Sequence, residues 1–255
     1  MDGVTPNGEP QESSVSHAVV LGCGRSGTSI LGELFASLPG YSYHSEPPFE
    51  DLAGYDYGAP VAIKVPKPGA GRDTSPGLPF LVADLRAVVP EPREIIWLVR
   101  HPLDAICSLR VGIAQNWGHH PRPPDWETWL TYPVLRRCAH HWVHINTLGY
   151  EQLRDMAKLR HFEDMIGNPL GFAQDICGQV GLDPEACEPA LRAWAQRVQD
   201  EDNDDFEEAE CSKSYSRPDH TRKVGRWREN LSAAQVAELA PVVAEAAARF
   251  GYQLP

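Results

Sequence analysis

No run of apolar residues in this 255-residue chain approaches the length of a membrane span. Residues 1–16 are polar and rich in turn formers, without the basic start and apolar centre of a secretion signal. They are expected to form a disordered tail. Six cysteines, Cys23, Cys107, Cys138, Cys177, Cys187 and Cys211, show no paired spacing, which suits reduced thiols and a cytoplasmic setting. His140, His141 and His144 fall on a helical stretch, but no third ligand joins the His140–His144 pair, so no metal is expected. Basic residues are scarce, 23 against 35 acidic ones, for a net charge of −12. Eight of the acidic residues lie between Asp200 and Glu210, and without them the balance falls to −4. That run reads as a solvated, mobile segment, with a basic neighbour from Lys213 to Arg228. Neither a nucleic acid nor a membrane is an expected partner. There is no internal repeat, and residues 17–255 read as one domain with a mobile acidic and basic loop over 200–222.

One further absence is the most informative. The apolar run Ala18–Leu21 leads into Gly22-Cys23-Gly24-Arg25-Ser26-Gly27-Thr28-Ser29, and a helical pattern through Ile30, Leu31, Leu34, Phe35 and Leu38 follows. Strand, glycine-rich turn and helix in that order make a phosphate cradle. The glycine spacing and the hydroxyl at Ser29 are those of a P-loop, yet Thr28 stands where the loop's lysine belongs. In nucleotide triphosphatases that lysine reaches the β and γ phosphates. A loop that keeps the backbone cradle and drops the lysine suits a nucleotide with no transferable γ-phosphate, and Arg25 supplies a cation within the turn.

The rest of the chain alternates strands and helices. Strands are expected at 17–21, 41–45, 61–65, 94–99 and 158–162, and helices at 27–38, 78–88, 102–114, within 129–155, 169–181, 184–198 and 232–250. Asp183-Pro184 and Ser232-Ala-Ala-Gln235 are helix-start signals. The run Ile95-Ile96-Trp97-Leu98-Val99 suits a strand buried on both faces of a parallel sheet. It places Arg100 at the strand's carboxyl end and Ser108 two turns along the next helix, where both could contact one phosphate.

With these two segments the chain resembles the sulfotransferases that use 3′-phosphoadenosine 5′-phosphosulfate (PAPS). In that family the first loop binds the 5′-phosphosulfate, and an arginine and a serine eight positions apart bind the 3′-phosphate. The matching positions are Arg25, Ser26, Gly27, Thr28 and Ser29 for the loop, and Arg100 with Ser108 for the second pocket. Phe162-Glu163-Asp164 with Asn168-Pro169 looks like the family's Tyr-Glu-Asp-Leu strand end and following Asn-Pro, with Phe162 in place of tyrosine. Arg222, Lys223, Gly225, Arg226 and Trp227 resemble a shortened form of the loop that closes over the cofactor. The matches run from about residue 17 to 250. The resemblance implies a three-layer α/β fold, a central parallel sheet with helices on both faces, like the P-loop nucleotide kinases. It also implies PAPS as donor, adenosine 3′,5′-bisphosphate as product, and no required metal.

Sulfuryl transfer needs an in-line acceptor hydroxyl, a base for its proton and positive charge beside the leaving oxygen. Glu46 falls where prolines stop the second strand, at the edge where open α/β sheets hold ligands, and is the expected base. It matches the Glu-Pro of carbohydrate and protein sulfotransferases; a loop carboxylate paired with a surface cation is the competing reading. His44, two positions away on the same strand face, is the substitute base. Lys64 is expected near the sulfonate or the acceptor, or in solvent with Lys67.

Residues 112–132, dense in Trp117, His119, His120, Trp126 and Trp129, read either as an acceptor-binding lid or as tryptophan packing over neighbouring helices. The expected acceptor is a small, glycosylated or aromatic metabolite of a biosynthetic (secondary) pathway. An ATP-dependent small-molecule kinase and a catalytically silent nucleotide-binding module are the alternatives.

Overall fold

The apolar run ahead of the glycine turn occupies the middle of the sheet. In the computed structural model of the chain, which describes residues 15–69, 73–78, 84–114, 121–198 and 224–255, strand β1 (His17–Gly22) is hydrogen-bonded on both sides. Its neighbours are β3 (Val61–Lys64) and β4 (Arg93–Val99); β2 (Ser42–Ser45) and β5 (Ala157–His161) are the edges. The order is β2-β3-β1-β4-β5, and every pairing is parallel.

Parallel strands need crossovers, and the crossover helices cover both faces. Alternate residues of the central strands feed two separate cores. Ala18, Val20, Ala62, Ile96 and Leu98 pack with helices α1 (Thr28–Ser37), α7 (Phe162–Gly167), α8 (Pro169–Gln179) and α9 (Glu188–Arg197). Val19, Leu21, Ile63, Trp97 and Val99 pack on the other face with α3 (Pro102–Ala114), α5 (Val134–His144) and α11 (Ala233–Arg249). The expected three-layer architecture is therefore present. Short helices α2 (Leu85–Val88), α4 (Trp126–Leu130), α6 (Tyr150–Leu153) and α10 (Trp227–Asn230) complete the described elements, with a 3-10 turn over Phe49–Gly54.

Three expected elements differ, and a fourth is described only in part. The long helix within 129–155 is divided, because Pro133 cannot continue a helix and instead precedes α5. A π-helical turn, Ile145–Gly149, then separates α5 from α6. It lets buried Asn146 accept the Trp97 indole N–H at 3.1 Å and brings Gly149 so near that a Cβ would lie 2.3 Å from the Trp97 ring. The helix expected from 184 begins at Glu188: Asp183 Oδ1 accepts from Glu185 N at 3.0 Å in a local turn, and Pro189 sits in the helix's first turn. The strand expected to reach 162 ends at His161, where α7 starts with Glu163 and Asp164 in its first turn. Of the helix expected over 78–88, residues 79–83 lie outside the described residues. Ser232 caps α11 in a reciprocal capping box with Gln235, as its spacing predicts.

Candidate functional site

Helix α1 follows β1 onto one face of the sheet and α3 follows β4 onto the other. Between two adjacent strands whose connections diverge lies a crevice at their carboxyl ends. The loop from Gly22 to Gly27 lies in it. Arg25 (φ 66°) and Gly27 (φ 89°) both have left-handed backbone, so the turn is tight enough to aim the first N–H groups of α1 inward. A Cβ on Gly27 would lie 2.5 Å from the Phe162 ring, so glycine is required there on two counts. No side chain caps α1, and its first turn holds no acidic residue. The helix end is thus open to an external anion. Thr28 is buried beside it, and the Ser26 hydroxyl oxygen is fully buried with no hydrogen-bond partner among the described residues.

Arg100 closes the other side of the crevice. It is 4 % exposed, lies 4.3 Å over the Phe162 ring and donates from Nη1 to the Arg25 carbonyl at 3.0 Å. Trp142 Nε1 donates to the Arg100 carbonyl at 3.1 Å, tying the strand end to α5. Burial draws the Arg100 guanidinium below the ordinary arginine value, opposed by the carboxylates of Asp104 and Glu163. Ser108 lies on α3, and its Oγ accepts from Arg25 Nε at 3.1 Å. The loop after β1 and the helix after β4 are therefore joined by the Arg25 side chain, which reaches Ser108.

The third side is ionic. Lys64, 4 % exposed at the end of β3, donates to Ser29 Oγ at 2.9 Å and to Glu46 Oε1 at 2.8 Å; Lys67 pairs with Glu46 Oε2. Lys64 thus faces the loop, and the solvent-exposed alternative holds for Lys67 alone, at 58 % side-chain exposure. Burial pushes the Glu46 carboxyl up, but the two ammonium groups outweigh it and hold it below the usual carboxylate range. Glu46 (φ 52°) and Val65 (φ 40°) are left-handed non-glycine residues, as is Arg25. All three lie just beyond strand ends around the crevice, and such strain clusters where a fold holds a functional geometry.

His44 does not share Glu46's surroundings. Its ring stacks on Tyr55 at 4.1 Å between centroids, because the left-handed turn at Glu46 breaks the strand alternation that would put the two on one face.

Of the expected cofactor loop, Gly225, Arg226 and Trp227 are described, whereas Arg222 and Lys223 lie outside the described residues, as does the 200–222 segment. Gly225 N and Trp227 N both donate to the buried Asp104, and the Trp227 ring stacks on His101. Sequence reasoning missed Asp104, although it lies midway between Arg100 and Ser108 at one-turn spacing. It also missed what Glu163 does: Oε1 accepts from His101 N at 2.8 Å and Oε2 from the Tyr252 hydroxyl at 2.7 Å. No local signal foretells Tyr252.

Within the tryptophan-rich region, residues 115–120 lie outside the described residues. Trp129 is buried against His140 and His144 of α5, with its N–H on Asp125 at 3.2 Å, so this one tryptophan packs over the neighbouring helix. Among the described residues no group of three His, Cys, Asp or Glu side chains is gathered to hold a metal. Among them, too, no helix is long and apolar enough to cross a membrane.

No protein-family model and no curated protein matches the chain. Solved structures do. Mouse sulfotransferase SULT7A1 complexed with PAP superposes with a TM-score of 0.56 at 15 % identity, over 92 % of this chain and 85 % of that one. The sulfotransferase domain from the curacin biosynthetic pathway gives 0.55 at 12 %, over 94 % and 99 %. The sulfotransferase domain from the Synechococcus PCC 7002 olefin synthase gives 0.54 at 17 %, over 98 % and 100 %. Retinol dehydratase in complex with retinol and PAP gives 0.52 at 14 %, over 94 % and 84 %.

Proposed function

We infer that this chain, whose fold is that of the sulfotransferases, uses the crevice between β1 and β4 for sulfuryl transfer. We propose that the protein is an enzyme that transfers the sulfuryl group of PAPS to a hydroxyl of a small-molecule acceptor. The observation that carries this is the convergence of Arg25, Arg100 and Ser108 between the N-terminus of α1 and a buried Ser26 hydroxyl that has no hydrogen-bond partner among the described residues. Two guanidinium groups and two hydroxyls around a positive helix end suit a doubly phosphorylated nucleotide.

When bound, PAPS would supply the sulfuryl group, which moves to the acceptor oxygen as adenosine 3′,5′-bisphosphate leaves. The loop Arg25–Ser29 would hold its 5′ end, and Arg100 and Ser108 its 3′-phosphate, with Gly225, Arg226 and Trp227 beside them. Lys64 sets a fixed ammonium beside Ser29, next to the loop where negative charge grows. Glu46 is the base: Oε1 stays held by Lys64, and Oε2 takes the acceptor's proton once the exposed Lys67 yields its place to the hydroxyl. His44 is too engaged with Tyr55 to be preferred for that step. Retinol bound to retinol dehydratase and the biosynthetic context of the curacin domain support a small, ring-bearing or metabolic acceptor.

The kinase reading is disfavoured by one contact. Ser29 Oγ occupies the magnesium-type position of a P-loop, and here it accepts from the Lys64 ammonium, a cation that repels a second one. Calorimetry decides: adenosine 3′,5′-bisphosphate should bind about tenfold or more tighter than ATP, with magnesium adding nothing to ATP. Tighter, magnesium-dependent ATP binding overturns the proposal. Glu46→Gln should lower sulfuryl turnover about 100-fold or more with bisphosphate affinity nearly unchanged. A wild-type protein that binds the bisphosphate but turns over no acceptor would favour the silent module.

A further inference from the structure

Asp104 is 1 % exposed, on the face of α3 between Arg100 and Ser108. A carboxylate buried this deeply needs partners, and its partners are two backbone N–H groups from a distant segment. Gly225 N donates to Oδ2 at 2.7 Å and Trp227 N to Oδ1 at 2.9 Å. Gly225 is left-handed (φ 77°) and Arg226 right-handed (φ −56°, ψ −24°), the alternation that turns successive N–H groups toward one anion. Arg226 is held between the two anchored amides and is itself buried. Its charge acts at Cys107, the neighbour of Ser108: burial and Asp104 push that thiol up to about 12, while Arg226 and Arg100 oppose them.

From this geometry we infer that Asp104 is a positioning residue that seats Arg226 in the pocket of Arg100 and Ser108, completing the site for the nucleotide's 3′-phosphate. The inference rests on the sulfotransfer reading. Asp104 touches no nucleotide in this scheme. It acts through the amides on either side of Arg226, and its negative charge also favours the charged form of the buried Arg100.

The test compares adenosine 3′,5′-bisphosphate with adenosine 5′-phosphate by calorimetry, since only the first carries the group in question. Asp104→Asn keeps the volume but turns an amide N–H toward one of the two backbone donors. Its preference for the bisphosphate should fall about tenfold or more, with 5′-phosphate affinity unchanged. Arg226→Ala should lose the same preference, and the double variant should lose no more than Arg226→Ala alone. Gly225→Ala, strained at φ 77° and crowded by Arg228, disrupts the same turn without touching α3 and should show the same loss, which decides the matter if Asp104→Asn does not fold. Full preference in Asp104→Asn or Gly225→Ala, or additive losses in the double variant, overturns the role of Asp104. A wild-type protein with no preference between the two nucleotides would instead overturn the functional reading beneath it.

Discussion

Arg25 and Ser108 stand 83 positions apart in the chain and meet through one 3.1 Å hydrogen bond that joins the loop after β1 to the helix after β4. A guanidinium that bonds Ser108 can also share an anion with it. Ser108→Ala should weaken adenosine 3′,5′-bisphosphate binding about 10- to 100-fold while changing stability by no more than about 1 kcal/mol. Titration calorimetry beside thermal denaturation reads both, and equal affinity in the variant would remove Ser108 from the site.

Lys67 holds Glu46 from the solvent side, and with Lys64 it keeps that carboxyl below its usual range. Lys67→Ala removes one of the two ammonium groups, so the Glu46 pKa rises. If Glu46 must be ionised to act, the acidic limb of kcat/KM against pH moves to higher pH. The stability effect has the matching sign. A depressed carboxyl stabilises the fold above its unfolded pKa, and that contribution is lost as pH falls through the folded value. Acidification should therefore cost the wild type more of this contribution than it costs Lys67→Ala. An unmoved rate profile would take the base role away from Glu46.

Gly27 meets two constraints together, a left-handed backbone and a ring 2.5 Å from where a Cβ would be. Gly27→Ala should destabilise the protein by about 2–4 kcal/mol and lower Tm by about 5–15 °C. Nucleotide affinity should fall as well, because Phe162 also supports Arg100.

Ser232→Ala gives the contrast, a structural change remote in kind from the crevice. Losing the capping box of α11 should cost about 1 kcal/mol, or about 2–4 °C in Tm, with bisphosphate binding unaltered.

What was legible in the sequence were features with local causes. The continuous apolar run of β4 marked a strand buried on both faces, the glycines of 22–27 marked a turn before a helix, and Ser232 marked a cap. Pro133 and Pro189 are local signals of the same kind, since Pro133 immediately precedes α5 and Pro189 lies in the first turn of α9, where each marks a helix start rather than an interior. The side-chain meetings were not legible, because nothing in a neighbourhood of a few residues specifies a partner 121 positions away, as with Asp104 and Gly225. His44 shows the same limit from the other side. Strand alternation places it beside Glu46 only while the strand continues, and a single left-handed residue ends that rule.

The three left-handed residues Arg25, Glu46 and Val65 bear on any attempt to engineer this protein for heat resistance. Glycine at Val65 would relax the backbone and remove no charge, whereas glycine at Glu46 would also strip the buried Lys64 ammonium of its carboxylate, so ranking by melting point would keep the first variant and reject the second. A durability screen on this scaffold would therefore retain the strained Glu46 for its ion pairs alone, whatever else that carboxylate does in the crevice.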